Sequence, residues 1–130
     1  MDEAVINRAI DAATRVREHA WAPYSRFRVG AAVVTSDGGI HVGCNVENAS
    51  FGLTQCAERA AVTAATAAGT RDVACCVVVT DTEHPTTPCG ACRQVLAEAG
   101  IGMTVVCRTL NGAEQRFALR DLLPDAFLAF

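Results

Sequence analysis

Cys56, Glu58, Cys89 and Cys92 are the residues of this chain whose types and spacing could do chemistry together. Cys89-x-x-Cys92 alone is ambiguous, because that spacing serves zinc ribbons, redox couples and catalytic metal sites alike. Cys56-Ala57-Glu58 adds a third thiolate, with a carboxylate one residue beyond it. Three protein ligands rather than four leave one tetrahedral position for water, which separates a catalytic zinc site from a structural one. Zinc acidifies such a water, and a carboxylate beside it can take the proton and return it to the substrate and the leaving group. Cys56, Cys89 and Cys92 are therefore read as ligands to one Zn²⁺ per subunit, and Glu58 as the catalytic acid and base.

Three thiolates carry more negative charge than Zn²⁺ neutralises, which weakens the metal as a Lewis acid. Two helix N-termini aimed at the ligands would offset part of that excess through their partial positive charge and free backbone N–H groups. Arg59 could do the same by hydrogen-bonding a ligating sulfur from outside the ligand set. The remaining cysteines, Cys44, Cys75, Cys76 and Cys107, lie in or beside apolar runs and read as packing residues. His19, His41 and His84 have no partner at ligand spacing and read as surface or loop residues.

The elements that position these groups follow from periodicity. Ile6, Ala9, Ile10, Ala13, Val16 and Ala20 mark an amphipathic helix over residues 3 to 20. Phe27 to Thr35 and Ile40 to Asn45 read as antiparallel strands around the Ser36-Asp37-Gly38-Gly39 turn. An alanine-rich helix from Cys56 to Ala68 stops at Gly69. Val73 to Thr80, apolar and largely β-branched, predicts a strand buried on both faces at the centre of the sheet. The Cys89–Cys92 pair opens a third helix that runs through Arg93 to Ala99 and stops at Gly100. Met103 to Arg108 and Gln115 to Ala118 predict strands, and Leu119 to Leu123 a short helix ended at Pro124. That order predicts a single α/β domain over residues 1 to 130, a three-layer α/β/α arrangement with a five-stranded mixed sheet and helices on both faces.

Composition narrows the partners. At 130 residues and 51% apolar content the chain can fill a core, and a formal charge of -3 gives no footprint for a polyanion. Nucleic acid is disfavoured as a partner. Met1 to Asp11 lacks the basic start and apolar run of an export signal, and no apolar stretch approaches the roughly 20 residues of a membrane span. Seven cysteines without an export signal fit a reducing, cytoplasmic setting with free thiols.

Cys56-Ala57-Glu58 followed by Pro88-Cys89-Gly90-Ala91-Cys92 is the cysteine form of the zinc deaminase pattern. Ala22-Pro23-Tyr24-Ser25, Phe27, Val29-Gly30-Ala31-Ala32, Asn45-Val46-Glu47-Asn48-Ala49, Cys56-Ala57-Glu58-Arg59, Arg93-Gln94 and Leu122-Leu123-Pro124-Asp125-Ala126-Phe127 extend the likeness over nearly the whole length. The chain resembles the small homotetrameric cytidine deaminases. The resemblance implies hydrolytic deamination of cytidine and 2′-deoxycytidine in pyrimidine salvage, with the free nucleoside as substrate. It implies that Asn45 and Glu47 hydrogen-bond the ribose hydroxyls, that Phe27 packs against the nucleoside and that the Ala57 backbone lies near the pyrimidine. It also implies that Phe127 reaches over the base from an adjoining subunit, and that Arg59 compensates the thiolates. Phe51 departs from the pattern, standing where many relatives carry a tyrosine that hydrogen-bonds across a subunit interface.

Three rivals share parts of the pattern. A blasticidin S-type deaminase has the same zinc signature, and the Asn45-Val46-Glu47-Asn48 segment argues against it. An RNA- or DNA-editing deaminase needs a strand groove that a small acidic chain does not suggest. A structural zinc module would recruit Cys44 or Cys76 as a fourth ligand and leave Glu58 incidental.

Overall fold

The computed structural model describes residues 1–129. Its elements run α1 (Glu3–Arg17), β1 (Val29–Thr35), β2 (Ile40–Cys44), a 3₁₀ turn (Phe51–Leu53), α2 (Ala57–Ala67), β3 (Val73–Thr80), α3 (Gly90–Gly100), β4 (Thr104–Thr109), β5 (Glu114–Ala118) and α4 (Leu119–Leu122). The sheet order is β2-β1-β3-β4-β5, with β3 in the middle. Only β3 and β4 are parallel, joined by the α3 crossover that a parallel pair requires; the other neighbours are antiparallel.

Alternation along the central strands divides the core. Ala32 and Val34 of β1 with Cys75, Val77 and Val79 of β3 face α1, where they meet Ile6, Ala9, Ile10 and Ala13. Ala31 and Val33 with Cys76 and Val78 face the opposite way and pack against Ala61, Val62 and Ala65 of α2 and Leu96 of α3. One helix on one face and two on the other give the expected three layers. Cys75, Cys76 and Cys107 are fully buried in these clusters, as packing cysteines should be, and Cys44 is half-buried.

The boundaries differ from the sequence expectations where capping and hydrogen bonding override apolar periodicity. Asp2 caps α1 by accepting from the Ala4 N–H, and the helix ends at Arg17, three residues before Ala20. β1 begins at Val29 rather than Phe27, because the preceding turn puts Arg26 at φ 59. Between β2 and α2 the polar, glycine-containing segment folds into the 3₁₀ turn Phe51–Leu53. His41 lies on strand β2 and is half-buried rather than on a loop.

Two glycines have steric reasons. Gly69 takes φ 93 immediately beyond α2, the left-handed conformation that ends a helix at little cost to glycine. Gly43 lets β2 touch α2: a Cβ there would run into the Ala61 N and Ala57 O backbone atoms and lie 2.7 Å from the Ala60 Cβ. The closeness of β2 to the first turns of α2 fixes where that helix begins, and Cys56 and Glu58 are at its beginning.

Candidate active site

Both helices that carry sulfur begin at a cysteine. Cys56 is the N-cap of α2 and Cys89 the N-cap of α3, each with extended backbone, and neither side chain makes a capping hydrogen bond. The sulfurs are left for other partners, and two helix N-termini converge on them with their partial positive charge. Cys92, in the first turn of α3, completes the group: the three sulfurs lie within 4.8 Å of one another, and Cys56 Sγ is 3.9 Å from Cys89 Sγ. Zinc–sulfur bonds of about 2.3 Å in a tetrahedron put sulfurs roughly 3.8 Å apart, so the cluster fits Zn²⁺. Among the described residues, neither Cys44 nor Cys76 belongs to the cluster. The fourth ligand that a closed structural site would need is not gathered there.

Arg59 is where the charge argument requires it. Its Nη2 lies 3.3 Å from Cys56 Sγ and also donates to the Thr54 carbonyl at 3.3 Å. Among the described residues its Nε is buried without a hydrogen-bond partner. The hydrogen bond from Cys92, and after it Arg59, pull the Cys56 thiol down to about 5. Cys92, which supplies that hydrogen bond and is buried, is pushed up. The packing thiols behave oppositely to Cys56: burial raises Cys75 to about 11 and Cys107 to about 12. The lowered Cys56 thiol thus stands apart from the core cysteines.

Glu58, 5% exposed, faces the same space. A cavity of about 180 Å³ is lined by Glu58, Cys56, Cys89, Ala57, Phe27 and Asn45, together with Val29, Thr54, Val78, Thr80, Thr86 and Thr87. Burial pushes the Glu58 carboxyl above its ordinary range, and the negative charge of Cys56 adds to that. The sheet register explains the gathering: Val29 pairs with Thr80 and Gly30 with Cys44, so the start of β1 and the ends of β2 and β3 share one edge of the sheet. The cavity therefore sits beyond the carboxyl end of parallel strand β3, the usual place for a ligand in an α/β sheet.

Asn45 is buried and holds the Phe27 turn, with Nδ2 donating to Phe27 O at 2.7 Å and Oδ1 accepting from Val29 N at 2.8 Å. Glu47 lies in an adjoining recess of about 350 Å³ lined by Tyr24, Ser25, Phe51 and Thr54, not in the cavity of Glu58. Its carboxylate accepts from Tyr24 N at 2.9 Å, from Ser25 N at 3.1 Å and from the Ser25 hydroxyl, which hold it below the usual carboxylate range. Thr54 lines both spaces. Phe127 does not line the cavity of its own chain; its ring is 61% exposed and its carbonyl accepts from Gln94 Nε2 at 2.7 Å.

Sequence reasoning left several residues unassigned. Thr54, Thr80, Thr86 and Thr87 line the cavity, and Ser25 ties Glu47 to Phe27 by also accepting from Phe27 N at 3.0 Å. Thr86-Thr87 directly before Pro88-Cys89, and Thr80 closing an apolar strand, were the available signals.

Residues 3–108 match the family described as the cytidine and deoxycytidylate deaminase zinc-binding region. The chain belongs to this family. Within it, the chain is 50% identical to a cytidine deaminase of Halalkalibacterium halodurans over 121 residues, 92% of each chain. It is 45% identical to a cytidine deaminase of Sporosarcina psychrophila, over 94% of this chain and 90% of that one. The crystal structure of a cytidine deaminase from Burkholderia pseudomallei superposes with a TM-score of 0.89 at 51% identity, covering 93% of this chain and 98% of that one. The likeness thus spans sequence, fold and the zinc-binding region that contains the cysteine cluster.

Proposed function

We propose that the chain is a zinc-dependent hydrolase that converts cytidine and 2′-deoxycytidine to the uridine products and ammonia, working as a cytoplasmic homotetramer in pyrimidine salvage. The observation that carries this reading is a buried carboxylate, Glu58, in one cavity with Cys56 and Cys89 and with Phe27 and Asn45 on its wall. Cys56, Cys89 and Cys92 would hold the zinc ion, which when bound would supply Lewis acidity and acidify the attacking water.

Glu58 takes a proton from the attacking water and passes it to the ring nitrogen N3 of the base. It then takes the second proton from the hydroxyl now on C4, as that oxygen becomes the carbonyl, and delivers it to the departing amino group as the C4–N bond breaks, so cytidine and water give uridine and ammonia. Burial that favours the protonated carboxyl suits a group that must hold a proton between these steps. Phe27 packs against the nucleoside, and the Ala57 backbone lies beside the base. Asn45 keeps one N–H and one lone pair beyond its bonds to the Phe27 turn, and a carboxylate with about four acceptor sites leaves Glu47 one beyond its three bonds. Those remaining sites serve the ribose hydroxyls.

The test is zinc content and turnover of purified wild type and Glu58→Gln, with cytidine and blasticidin S as parallel substrates. Expected are one zinc per chain in both proteins, preference for cytidine by kcat/KM, and loss of at least 10²-fold in kcat for the variant. Undiminished turnover would remove Glu58 from the mechanism, and preference for the antibiotic would overturn the substrate assignment.

A further inference from the structure

Arg93 makes no hydrogen bond to a sulfur, yet its guanidinium joins three segments. Nε donates to Pro88 O at 2.7 Å, Nη2 to Thr87 Oγ1 at 3.0 Å and Nη1 to Leu122 O at 2.9 Å. Its own backbone N–H donates to Cys89 O at 2.9 Å. Every nitrogen of the fork is engaged, and two of its acceptors are the residues that immediately precede the N-cap cysteine of α3. The third acceptor, Leu122, closes α4 and opens the tail, and the next side chain on α3, Gln94, reaches the same tail at Phe127 O.

Cys89 is an exposed residue at a helix start, and a loop, not a packed element, leads to it from Thr80. A sulfur delivered by a loop holds its place only as well as the loop does. Thr80, Thr82 and Thr86 link through their hydroxyls, at 2.9 and 3.3 Å, and brace the early part of the loop. Its last two residues are braced by Arg93.

We propose that Arg93 is a positioning residue that fastens the Cys89 loop and the C-terminal tail into one unit, so that retention of zinc depends on a side chain outside the ligand set. The inference rests on the zinc reading of Cys56, Cys89 and Cys92. Lysine keeps the charge at this position but cannot reproduce three directional bonds from one planar fork.

The test is the rate at which zinc-loaded full-length protein gives up zinc to a colorimetric chelator, with hydrogen exchange followed in residues 86–89 and 122–128. Arg93→Ala is expected to lose zinc 10- to 100-fold faster than wild type and to exchange faster in both segments, with Arg93→Lys between them. Ile6→Ala, in the core on the far face of the sheet, supplies the comparison: it lowers the unfolding midpoint and leaves zinc release slow when both variants are held equally far below their midpoints. Zinc release from Arg93→Ala no faster than from Ile6→Ala overturns the inference. Where Arg93→Ala does not fold, Arg93→Lys and Thr87→Val carry the same comparison, with release several-fold faster than wild type expected and unchanged release overturning it. Wild type that binds no zinc overturns the zinc reading itself, a result separate from failure of the Arg93 inference.

Discussion

Arg59 shows how much one side chain can be asked to do at a three-sulfur site. It is the cation whose hydrogen bond reaches Cys56 Sγ, at 3.3 Å, and it stands one position beyond Glu58 on α2. Removing it leaves the excess thiolate charge to the two helix termini alone. Arg59→Ala is expected to weaken zinc binding 10- to 100-fold in chelator competition and to lower kcat by a similar factor, because a less neutralised ligand set makes a poorer Lewis acid. Unchanged affinity and turnover would make Arg59 an ordinary helix residue. At this scale much of the site could be read from spacing: sulfur at positions 56, 89 and 92 and a carboxylate at 58 pointed to the cluster, and charge counting pointed to Arg59. What could not be read were contacts that depend on where loops cross. Glu47 sits in a recess beside the cavity of Glu58, bound to Ser25, and no periodicity in the segment between β2 and α2 forecasts that.

Elements place these residues, and α2 is the one whose position the chemistry depends on most. Its first turns rest on Gly43 of β2, where a methyl group would collide with backbone that cannot rotate away. Gly43→Ala is expected to cost about 1–3 kcal/mol in urea unfolding, as overpacking does, and to lower kcat as well, because α2 must back off the sheet and carry Cys56 and Glu58 with it. Gly102→Ala, where a Cβ meets nothing within 4 Å, serves as the control and should leave both unchanged. An equal loss of stability with full activity would show that the first turns of α2 tolerate displacement. The strands were legible because β3 is apolar on both faces and β1 nearly so, a pattern that burial between two helical layers imposes. The ends were less legible because they are decided by single capping groups: Asp2 sets the start of α1, and the left-handed Arg26 delays β1 to Val29. The tightness of Gly43 against α2 was invisible for the same kind of reason, since a glycine in a strand reads the same whether a helix crosses it or water does.

At the scale of the whole molecule, the chain leaves large apolar side chains in solvent. Phe51 and Leu53 are 73% and 71% exposed, Trp21 and Phe127 61% each, and Tyr24 meets Phe51 edge to face at 5.8 Å. Exposed apolar patches can mark interaction surfaces, and the homotetramer proposed above would supply a second copy of the chain to cover this one. Phe127 makes that proposal testable in detail, because it does not line the Glu58 cavity of its own chain while Gln94 holds its backbone in place. If the ring acts in a neighbour's site, each complete site draws Glu58 from one subunit and Phe127 from another. Phe127→Ala alone should raise KM about 10-fold or more with zinc retained, the size of effect that losing a buried aromatic contact gives. Glu58→Gln alone should be inactive. Mixing the two variants by denaturation and refolding in the presence of zinc should then create sites with both groups intact, roughly a quarter of the total at equal amounts with random assembly. Recovery of low-KM turnover on mixing, from particles that sediment as four chains, is the expected result. Mixed particles with no low-KM activity, or a fully active monomer at any concentration, would return Phe127 to the surface of its own subunit and leave the zinc site to work alone.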